Sequence, residues 1–543
     1  MPATAAAATA VPVATHAPAF DVRMAGVAAM SSAVESVLLL PKDAPMHPGK
    51  LWCHARQVYL PMAWLYGMRS QVPGGDAFQR ALRDELYDGK WNSIAWEEQR
   101  DTVSKTDAYR PTSLGLTATN FAQNVYEKLP FKPLRKRALA ECLHHIQYED
   151  RVTCDIDIGP VNTVLNVFVH LFRGAEGRDD FERGFAAIEP YLWVGHDGVK
   201  MQGYNNSELW DTAFAIQALL AVPAQWQDHT ALERAYGYLR ENQILEDVPE
   251  AEAHYRHASK GGWPFSNRAH GWPITDCTSE GLKCALALEN RRAENASIPA
   301  DRLRDAVRLI LSWQNDDGGW ATYEKQRAGA WFEQLNPSQV FGDIMVDYSY
   351  VECTSACVQA LVKAKQRFTG EFQLDGAIAR GVAFLRSAQR ADGSFEGSWA
   401  VCFTYGTWFG VSGLLSAGVS HLDPAIQRAC AFLLAKQRAD GSWSEHGNTC
   451  RERNWVEGER GQVAQSSWAL MALIRAQDPH DEAVDRAAAF LCGRQEADGS
   501  WAREPMVGVF NRTCLITYDN YRHYFPIWAL AEYRRARTED SVG

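Results

Sequence analysis

Long apolar runs are missing from this sequence of 543 residues. No stretch of about eighteen consecutive apolar residues occurs, so the sequence predicts no membrane-spanning helix. The Ala-rich start carries no basic segment before its first apolar run and is therefore a poor secretory signal. Acidic residues outnumber basic ones by 66 to 55, and the resulting net charge of -11 argues against nucleic acid as a partner.

Cysteine patterns typical of metal binding or redox exchange are also missing. The 12 cysteines form no CxxC pair and no Cys/His cluster at metal-ligand spacing. Cys353 and Cys357 stand one helical turn apart, a spacing that fits either two packed thiols or half of a metal site. We predict unpaired thiols in a reducing compartment. Strand-like alternation never exceeds a few residues, so the predicted fold class is all-α.

Aromatic residues, in contrast, are abundant, with 19 Trp, 19 Tyr and 22 Phe. The chain is long enough for two or more domains with large cores. Four segments have the apolar spacing of buried helices. They are 51–66, with an interruption or kink at Pro61, 131–148, 160–172 and 209–220.

The second half of the sequence contains an internal repeat, Gln-x-x-Asp-Gly-x-Trp. It occurs at 314–320, 389–395 (where Phe395 replaces Trp), 437–443 and 495–501. Each copy follows one apolar helix and precedes another, and Asp-Gly is a turn dipeptide. We expect the Gln and the Trp to tie a helix end to its neighbour. Repeated helix pairs form a solenoid or a closed ring, and the variable spacing favours a closed barrel of α-helices.

One acidic side chain, Asp276, stands among apolar and aromatic neighbours in His-Gly-Trp-Pro-Ile-Thr-Asp-Cys-Thr-Ser-Glu at 270–280. Burial disfavours the ionised form of a carboxyl and raises its pKa. A carboxyl that stays protonated near neutral pH is able to act as a Brønsted acid. The local sequence alone also fits a plainer role, in which Asp276 caps a helix that begins at Cys277 and Glu280 completes its first turn.

Several blocks of this sequence resemble the oxidosqualene cyclases, a branch of the triterpene cyclase family. The repeat is one of them, and 276–280 (Asp-Cys-Thr-Ser-Glu) differs from the family's Asp-Cys-Thr-Ala-Glu only at Ser279. The other matching blocks are 201–205, 210–214, 341–344, 351–355, 397–408 and 508–526. The resemblance extends from about 47 to 533.

The resemblance implies an all-α fold of two α/α barrels, the terpenoid cyclase toroid. Family members have a longer segment before the block at 52–54, so we expect a truncated first barrel and a complete second one. The expected domains are a disordered Ala-rich tail at 1–46, the remainder of the first barrel at 47–195, and the second barrel at 196–543 with the catalytic acid and the repeats.

The resemblance also implies a reaction, the cyclisation of (S)-2,3-oxidosqualene to a tetracyclic sterol precursor. Asp276 would protonate the epoxide, while Cys277 and Cys353 hydrogen-bond its carboxyl. Glu280 would return a proton to Asp276 through water. His54 and Tyr323 would lie near the end of the folded substrate, with His54 as the terminal base or a group that steers the cation.

Aromatic faces stabilise a travelling carbocation without trapping it as a nucleophile would. By resemblance, the rings that line the cavity are Trp210, Phe265, Trp399 and Phe510, with Phe341, Tyr405, Tyr518 and Tyr521. Tyr204, His270 and Ile274 are the residues found at these places in cycloartenol-forming members. Lanosterol-forming members tend to have Thr, Gln or Cys, and Val there. The expected product is therefore cycloartenol, with lanosterol or parkeol as alternatives.

The chemistry implies no metal or organic cofactor, because protonation alone starts it. The partners expected are the lipid substrate and a membrane surface or lipid droplet. We expect monotopic attachment on the cytoplasmic face, at the endoplasmic reticulum if the source is eukaryotic, although 109–131 is less apolar than in relatives. Two alternatives remain: an inactive truncated cyclase that acts as a binding protein, and a zinc-dependent prenyltransferase subunit, for which the sequence offers no convincing ligand set.

Overall fold

The structure, a computed structural model, describes residues 37–70, 77–87, 91–94, 103–105, 107–195, 198–204, 206–289, 297–476 and 481–540. Within these ranges the α-helices are α1 Cys53–Gly67, α2 Ala77–Leu86, α3 Leu114–Lys128, α4 Lys132–Val152, α5 Pro160–Phe172, α6 Arg178–Ala186, α7 Glu208–Ala221, α8 His229–Asn242, α9 Thr275–Glu289, α10 Ala300–Ser312, α11 Val351–Arg367, α12 Asp375–Ala388, α13 Phe403–Ser416, α14 Pro424–Lys436, α15 Asn448–Glu452, α16 Val463–Arg475, α17 Asp481–Gly493 and α18 Tyr521–Asp540.

Strands are short and few in the described part of the chain. β1 (Leu192–Gly195) pairs antiparallel with β2 (Gly198–Met201), and β3 (Gly508–Phe510) pairs with β4 (Cys514–Ile516). The all-α prediction is confirmed.

Six helices of the described ranges pack in a closed ring. The order of contact is α7, α9, α11, α13, α16 and α18, and α18 returns to α7. Helix α13 is buried from Phe403 to Leu414, because apolar and small residues occupy all of its faces. Helices α8, α10, α12, α14 and α17 pack outside this ring, each against two of its members. The alternation of inner and outer helices is that of an α/α barrel.

The repeats fasten the outer helices to one another. Gln314 Nε2 donates to the carbonyl of Gly318 in its own turn and to that of Ala377 in α12, both at 2.9 Å. The indole of Trp320 donates to the carbonyl of Ile310 in the preceding outer helix at 2.7 Å. The turn requires glycine, because Gly318 has a φ of 87°. The predicted tie between neighbouring helices is therefore present.

A fifth copy of this arrangement occurs in the described chain, although the sequence pattern does not reveal it. Gln243 Nε2 donates to the carbonyls of Gly261 (2.8 Å) and Arg302 (3.0 Å), and the Trp263 indole donates to the Leu239 carbonyl at 2.8 Å. The Gln and its turn glycine are 18 positions apart here, against 4 in the copy that begins at Gln314. An insertion therefore hides the repeat.

Pro61 lies inside α1 and does not interrupt it. Proline leaves the carbonyl four residues earlier without its helical N–H donor. That carbonyl belongs to Gln57, and it accepts a hydrogen bond of 2.9 Å from the side chain of Asn162. The predicted interruption is wrong, because a neighbouring helix supplies the missing donor.

Helix α1 packs on α4 and α5 and forms a second hydrophobic core with them. Two buried ion pairs join this core to the ring. Arg56 Nη2 lies 3.4 Å from Glu324, and Arg256 Nη1 lies 3.4 Å from Glu149. A buried charge without a partner costs a large amount of free energy. The two members of each ion pair are therefore held close to one another. The Arg56–Glu324 pair thereby fixes the position of the first turn of helix α1, which carries His54, relative to the ring.

The predicted tail at 1–46 lies for the most part outside the described residues, which begin at 37. Leu38 is buried in the second core, and its carbonyl lies 3.2 Å from His47 Nε2. The packed fold thus includes residues before the predicted boundary, because the apolar run at 37–40 supplies a side chain to the core. Over the described ranges, no helix has both the length and the apolarity needed to cross a bilayer.

Candidate active site

The N-terminus of α9 places Asp276 at the inner side of the ring. Gly271 turns the chain with a φ of 68°, and a Cβ there would approach the Val152 carbonyl to 2.4 Å. Ile274 N then donates to the Trp263 carbonyl (3.0 Å), and Thr275 N donates to the Thr322 carbonyl (2.8 Å). The first turn of the helix is therefore fixed from both sides.

Asp276 is buried, with 5% of its surface exposed. Burial raises its pKa to about 7, and the nearby carboxylates of Glu352 and Glu280 add to the rise, although a hydrogen bond of 2.8 Å from Cys277 N opposes it. A capping side chain accepts from an N–H two or three residues later. Because Asp276 lies within α9 and accepts from the very next residue, the structure argues against the plainer role as a cap.

Thiols surround the Asp276 carboxyl. Cys277 and Cys353 are fully buried, and burial, followed by the charge of Asp276, raises the pKa of both thiols. Ser279 Oγ donates to Cys357 Sγ at 3.3 Å. Both sulfurs predicted to support the acid are thus near it. Cys353 and Cys357 are both fully buried, and no group of three or more His, Cys, Asp or Glu in the described residues is arranged to hold a metal ion.

Glu280 lies one helical turn after Asp276 and is fully buried. Lys283 Nζ lies 2.8 Å from Glu280 Oε1, and Gln217 Nε2 donates to Oε2 at 2.7 Å. Glu280 and Lys283 stand three positions apart, a spacing at which opposite charges pair on a helix. The proton-returning role of Glu280 stays a prediction.

One group of aromatic rings gathers around His54 and Phe510. The His54 ring centroid lies 4.6 Å from that of Tyr323 and 5.4 Å from that of Phe510. Phe510 in turn lies 5.6 Å from Trp399 and 6.1 Å from Phe341. Trp52, which sequence reasoning missed, packs at 4.7 Å from His54 and 5.8 Å from Phe510. We call this group the His54 wall.

A second group of rings gathers around Tyr518. Its ring lies 5.3 Å from Tyr204, 6.1 Å from Phe265 and 4.7 Å from Tyr521. The Trp210 indole lies 5.8 Å from Phe265. We call this group the Tyr518 wall. Tyr405 packs further back, against Trp468 at 4.9 Å, and its hydroxyl has no hydrogen-bond partner in the described part of the chain.

Members of both walls lie near the acid. Burial is the main cause that raises the pKa of Tyr323, Tyr405, Tyr518 and Tyr521, and the charge of Asp276 is one of several smaller contributions to each. Six of the ten predicted aromatic rings are only partly buried, so the protein leaves part of each ring's surface uncovered. Those rings are Tyr204, Phe265, Tyr323, Phe341, Trp399 and Phe510.

His54 is a neutral imidazole in this setting, because burial lowers its pKa to about 3, with a smaller effect from nearby His270. Its Nε2 atom is buried without a hydrogen-bond partner among the described residues. His270 is also buried, and burial lowers its pKa to about 4. Ile274, the third product-related residue, is 2% exposed and belongs to the ring core.

Asp347 is a site residue that no pattern in the sequence singles out. Its carboxyl accepts the backbone N–H groups of Thr322 (3.3 Å), Tyr323 (2.8 Å) and Glu324 (3.2 Å). Burial raises its pKa to about 8. Asp347 thereby fixes the backbone on which Tyr323 stands. Asp347 is 23 to 25 positions away from these residues in the sequence, so only the folded structure reveals this role.

This arrangement combines a buried carboxyl whose pKa is raised to about 7 with partly uncovered aromatic rings and with a neutral imidazole in the His54 wall. Such a site is suited to protonating a neutral apolar molecule and to stabilising the cation that results.

Comparison with known proteins assigns the family. The squalene-hopene cyclase N-terminal domain family matches residues 32–196, and the C-terminal domain family matches residues 206–535. The chain is 44% identical over 510 residues to the cycloartenol synthase of Dictyostelium discoideum, covering 93% of this chain and 72% of that protein. It is 44% identical over 513 residues to the lanosterol synthase of Mus musculus, covering 93% and 70%.

Similarity to one solved structure is lower. The type II terpene cyclase MstE from Scytonema has a TM-score of 0.42 and 16% identity, covering 64% of this chain and 92% of that one. The assignment depends on the sequence matches, which cover both halves of the chain. This protein belongs to the oxidosqualene cyclase family of terpene cyclases.

Proposed function

We propose that this protein cyclises (S)-2,3-oxidosqualene to a tetracyclic sterol precursor. The observation that carries the proposal is the buried carboxyl of Asp276, whose pKa of about 7 keeps a large fraction protonated at neutral pH. The relatives named above, a cycloartenol synthase and a lanosterol synthase, support it.

In the proposed reaction the Asp276 carboxyl gives its proton to the epoxide oxygen, and a C–O bond of the oxirane breaks. Electron pairs of the substrate's double bonds then close the rings in turn, so the positive charge moves along the substrate. Loss of a proton from carbon ends the cascade and leaves an isomer of the substrate. One proton enters and one leaves, so the reaction needs no oxidant, reductant or cofactor.

The aromatic walls stabilise the moving charge. A cation over a desolvated ring gains about 2 kcal/mol, and rings of both walls are only partly covered by the protein. Rings also carry little nucleophilicity, so they do not trap the cation. His54, neutral and with an unpartnered Nε2 in the described structure, is our candidate for the group that accepts the last proton or directs its loss.

Product analysis tests this proposal. The wild-type chain and Asp276→Asn are expressed in a cyclase-deficient, sterol-requiring host that accumulates oxidosqualene, and extracts are analysed by mass spectrometry. We expect a cyclised C30 alcohol from the wild type and none from Asp276→Asn. Asp317→Asn, an exposed aspartate in a repeat turn, is the matched control and keeps the wild-type product. Equal products from all three would refute the role of Asp276.

We propose cycloartenol as the product. Support comes from Tyr204, His270 and Ile274, which match cycloartenol-forming members. Tyr204 stacks in the Tyr518 wall, and its hydroxyl donates to the Thr517 carbonyl at 2.9 Å. We expect Tyr204→Thr, His270→Gln and Ile274→Val together to shift the product towards lanosterol. An unchanged product from the triple variant would contradict this assignment.

We also propose that the protein attaches to one leaflet of a membrane through α3, on the cytoplasmic face. Leu114, Phe121 and Val125 form one stripe along this helix and are 90%, 71% and 55% exposed. An exposed apolar stripe of this kind is typical of a helix that lies in a membrane interface.

None of the 12 cysteines, all of which the structure describes, forms a disulfide, which supports a reducing compartment.

Helix α3 also has a short connection to the site. It packs on the turn Ala330–Leu335, and Asn336 Nδ2 donates to the carbonyl of Phe341 in the His54 wall at 2.8 Å. A substrate that dissolves in a bilayer would therefore leave it close to the cavity. The test is flotation with phosphatidylcholine vesicles. We expect Phe121→Glu/Val125→Glu to lose vesicle binding, and Leu422→Glu, at an exposed apolar residue elsewhere (70%), to keep it. Equal flotation of both variants would refute the role of α3.

A further inference from the structure

Thr322 occupies a central position between the acid and the His54 wall. It is 3% exposed and stands just before Tyr323. Its backbone is fixed on both sides, because its carbonyl accepts from Thr275 N at 2.8 Å and its N–H donates to Asp347 at 3.3 Å. The residue therefore links the first turn of α9 to the segment that carries Tyr323.

The hydroxyl of Thr322 contacts two functional side chains. It accepts a hydrogen bond from Trp399 Nε1 at 2.9 Å, and it lies 3.5 Å from Cys353 Sγ. An indole nitrogen is a donor only, so the hydroxyl must use a lone pair for Trp399. Its own proton is then available to the sulfur of Cys353, and either group is able to donate across this contact of 3.5 Å. When the hydroxyl donates, the thiol keeps its own S–H, and Asp276 is near enough that its charge, after the larger effect of burial, raises the pKa of that thiol.

We propose that Thr322 is a positioning residue that couples the proton donor to the aromatic wall. It holds the Trp399 ring in place for the cation, and it orients the Cys353 thiol towards Asp276. The proposal depends on the cyclase function proposed above. It assigns to one hydroxyl two tasks that belong to different stages of the reaction, the first protonation and the later stabilisation of the cation.

Removal of the hydroxyl therefore has two separable effects. Thr322→Val keeps the shape of the side chain but leaves the part-buried Trp399 N–H without its acceptor. The Trp399 indole is then more stable when it turns so that its N–H reaches another acceptor. In that position its aromatic face no longer stabilises the cation. The Cys353 thiol also turns, so protonation slows. A purely structural loss would lower the amount of folded enzyme without changing the product.

The experiment compares four purified proteins with oxidosqualene in detergent: the wild type, Thr322→Val, Thr322→Ser and Thr407→Val. Thr407 is the matched control, because its buried hydroxyl also accepts a hydrogen bond, from Phe395 N at 3.1 Å, but in the repeat region. For Thr322→Val we expect kcat to fall about tenfold and incompletely cyclised products to appear. Thr322→Ser, which keeps the hydroxyl, restores both kcat and the product pattern, and Thr407→Val keeps the product pattern.

A structure of Thr322→Val provides a readout that does not need activity. We expect the Trp399 indole to leave the position in which its Nε1 lies 2.9 Å from residue 322. An unmoved indole, or a product pattern in Thr322→Val identical to the wild type, would overturn the proposal. If the wild type forms no cyclised product, the proposed function fails, while the position of Trp399 in the variant still decides the role of Thr322.

Discussion

The indole N–H of Trp210 donates a hydrogen bond of 2.7 Å to the hydroxyl of Tyr521, although 311 positions separate the two residues. Trp210 belongs to α7 and Tyr521 begins α18, so this bond lies where the ring of inner helices closes. Both residues are also part of the Tyr518 wall. The contact that closes the ring therefore also forms part of this wall.

The pH dependence of turnover follows from the raised pKa of Asp276. A general acid acts in its protonated form, so kcat/KM is expected to be constant at low pH. It then falls about tenfold per pH unit above a pKa of about 7. The substrate has no group that titrates in this range. A profile that stays flat from about pH 6 to 9 in steady-state assays would mean that Asp276 is not the proton donor.

Asp347 is expected to support Tyr323 through the backbone. Asp347→Ala leaves three backbone N–H groups without their acceptor, and we expect the free energy of unfolding to fall by about 3 kcal/mol or more, together with kcat. Asp317→Ala is the control: it removes the acceptor of Gly319 N (2.9 Å) from an exposed turn and costs less than about 1 kcal/mol. Equal losses in chemical denaturation would show that Asp347 has no special role.

The hidden fifth repeat makes its own prediction. Gln243 is fully buried and bonds to Gly261 and to the carbonyl of Arg302 in α10, whereas Gln495 is exposed. Gln243→Ala is expected to lower the free energy of unfolding by about 2 kcal/mol, the cost of two lost buried hydrogen bonds, and Gln495→Ala by less than about 1 kcal/mol. The reverse order in thermal denaturation would argue against the fifth repeat.

The sequence predicted those features that depend on neighbours along the chain. Periodic apolar residues gave α5 with its observed bounds of Pro160–Phe172, and the composition around Asp276 gave its burial. Pro61 misled the prediction, because the donor that replaces its N–H stands on Asn162, 105 positions from the accepting carbonyl of Gln57.

The missed features share one physical cause: each needs a contact between distant segments. The Gln243 repeat is interrupted by an insertion, so its spacing shows nothing, although its Gln and Trp form the same bonds as the other copies. Thr322 and Asp347 look ordinary in sequence. The fold alone brings the Thr322 hydroxyl to Trp399, 77 positions away.

The central claim is that Asp276 is un-ionised in the resting protein, and infrared difference spectroscopy measures this directly. The spectrum of the wild type minus that of Asp276→Asn isolates the C=O stretch of one protonated carboxyl as pH is raised. We predict a band that persists through pH 6 and disappears with a midpoint of about 7. A band that is already lost by about pH 5, as expected for an ordinary aspartate, would contradict the account.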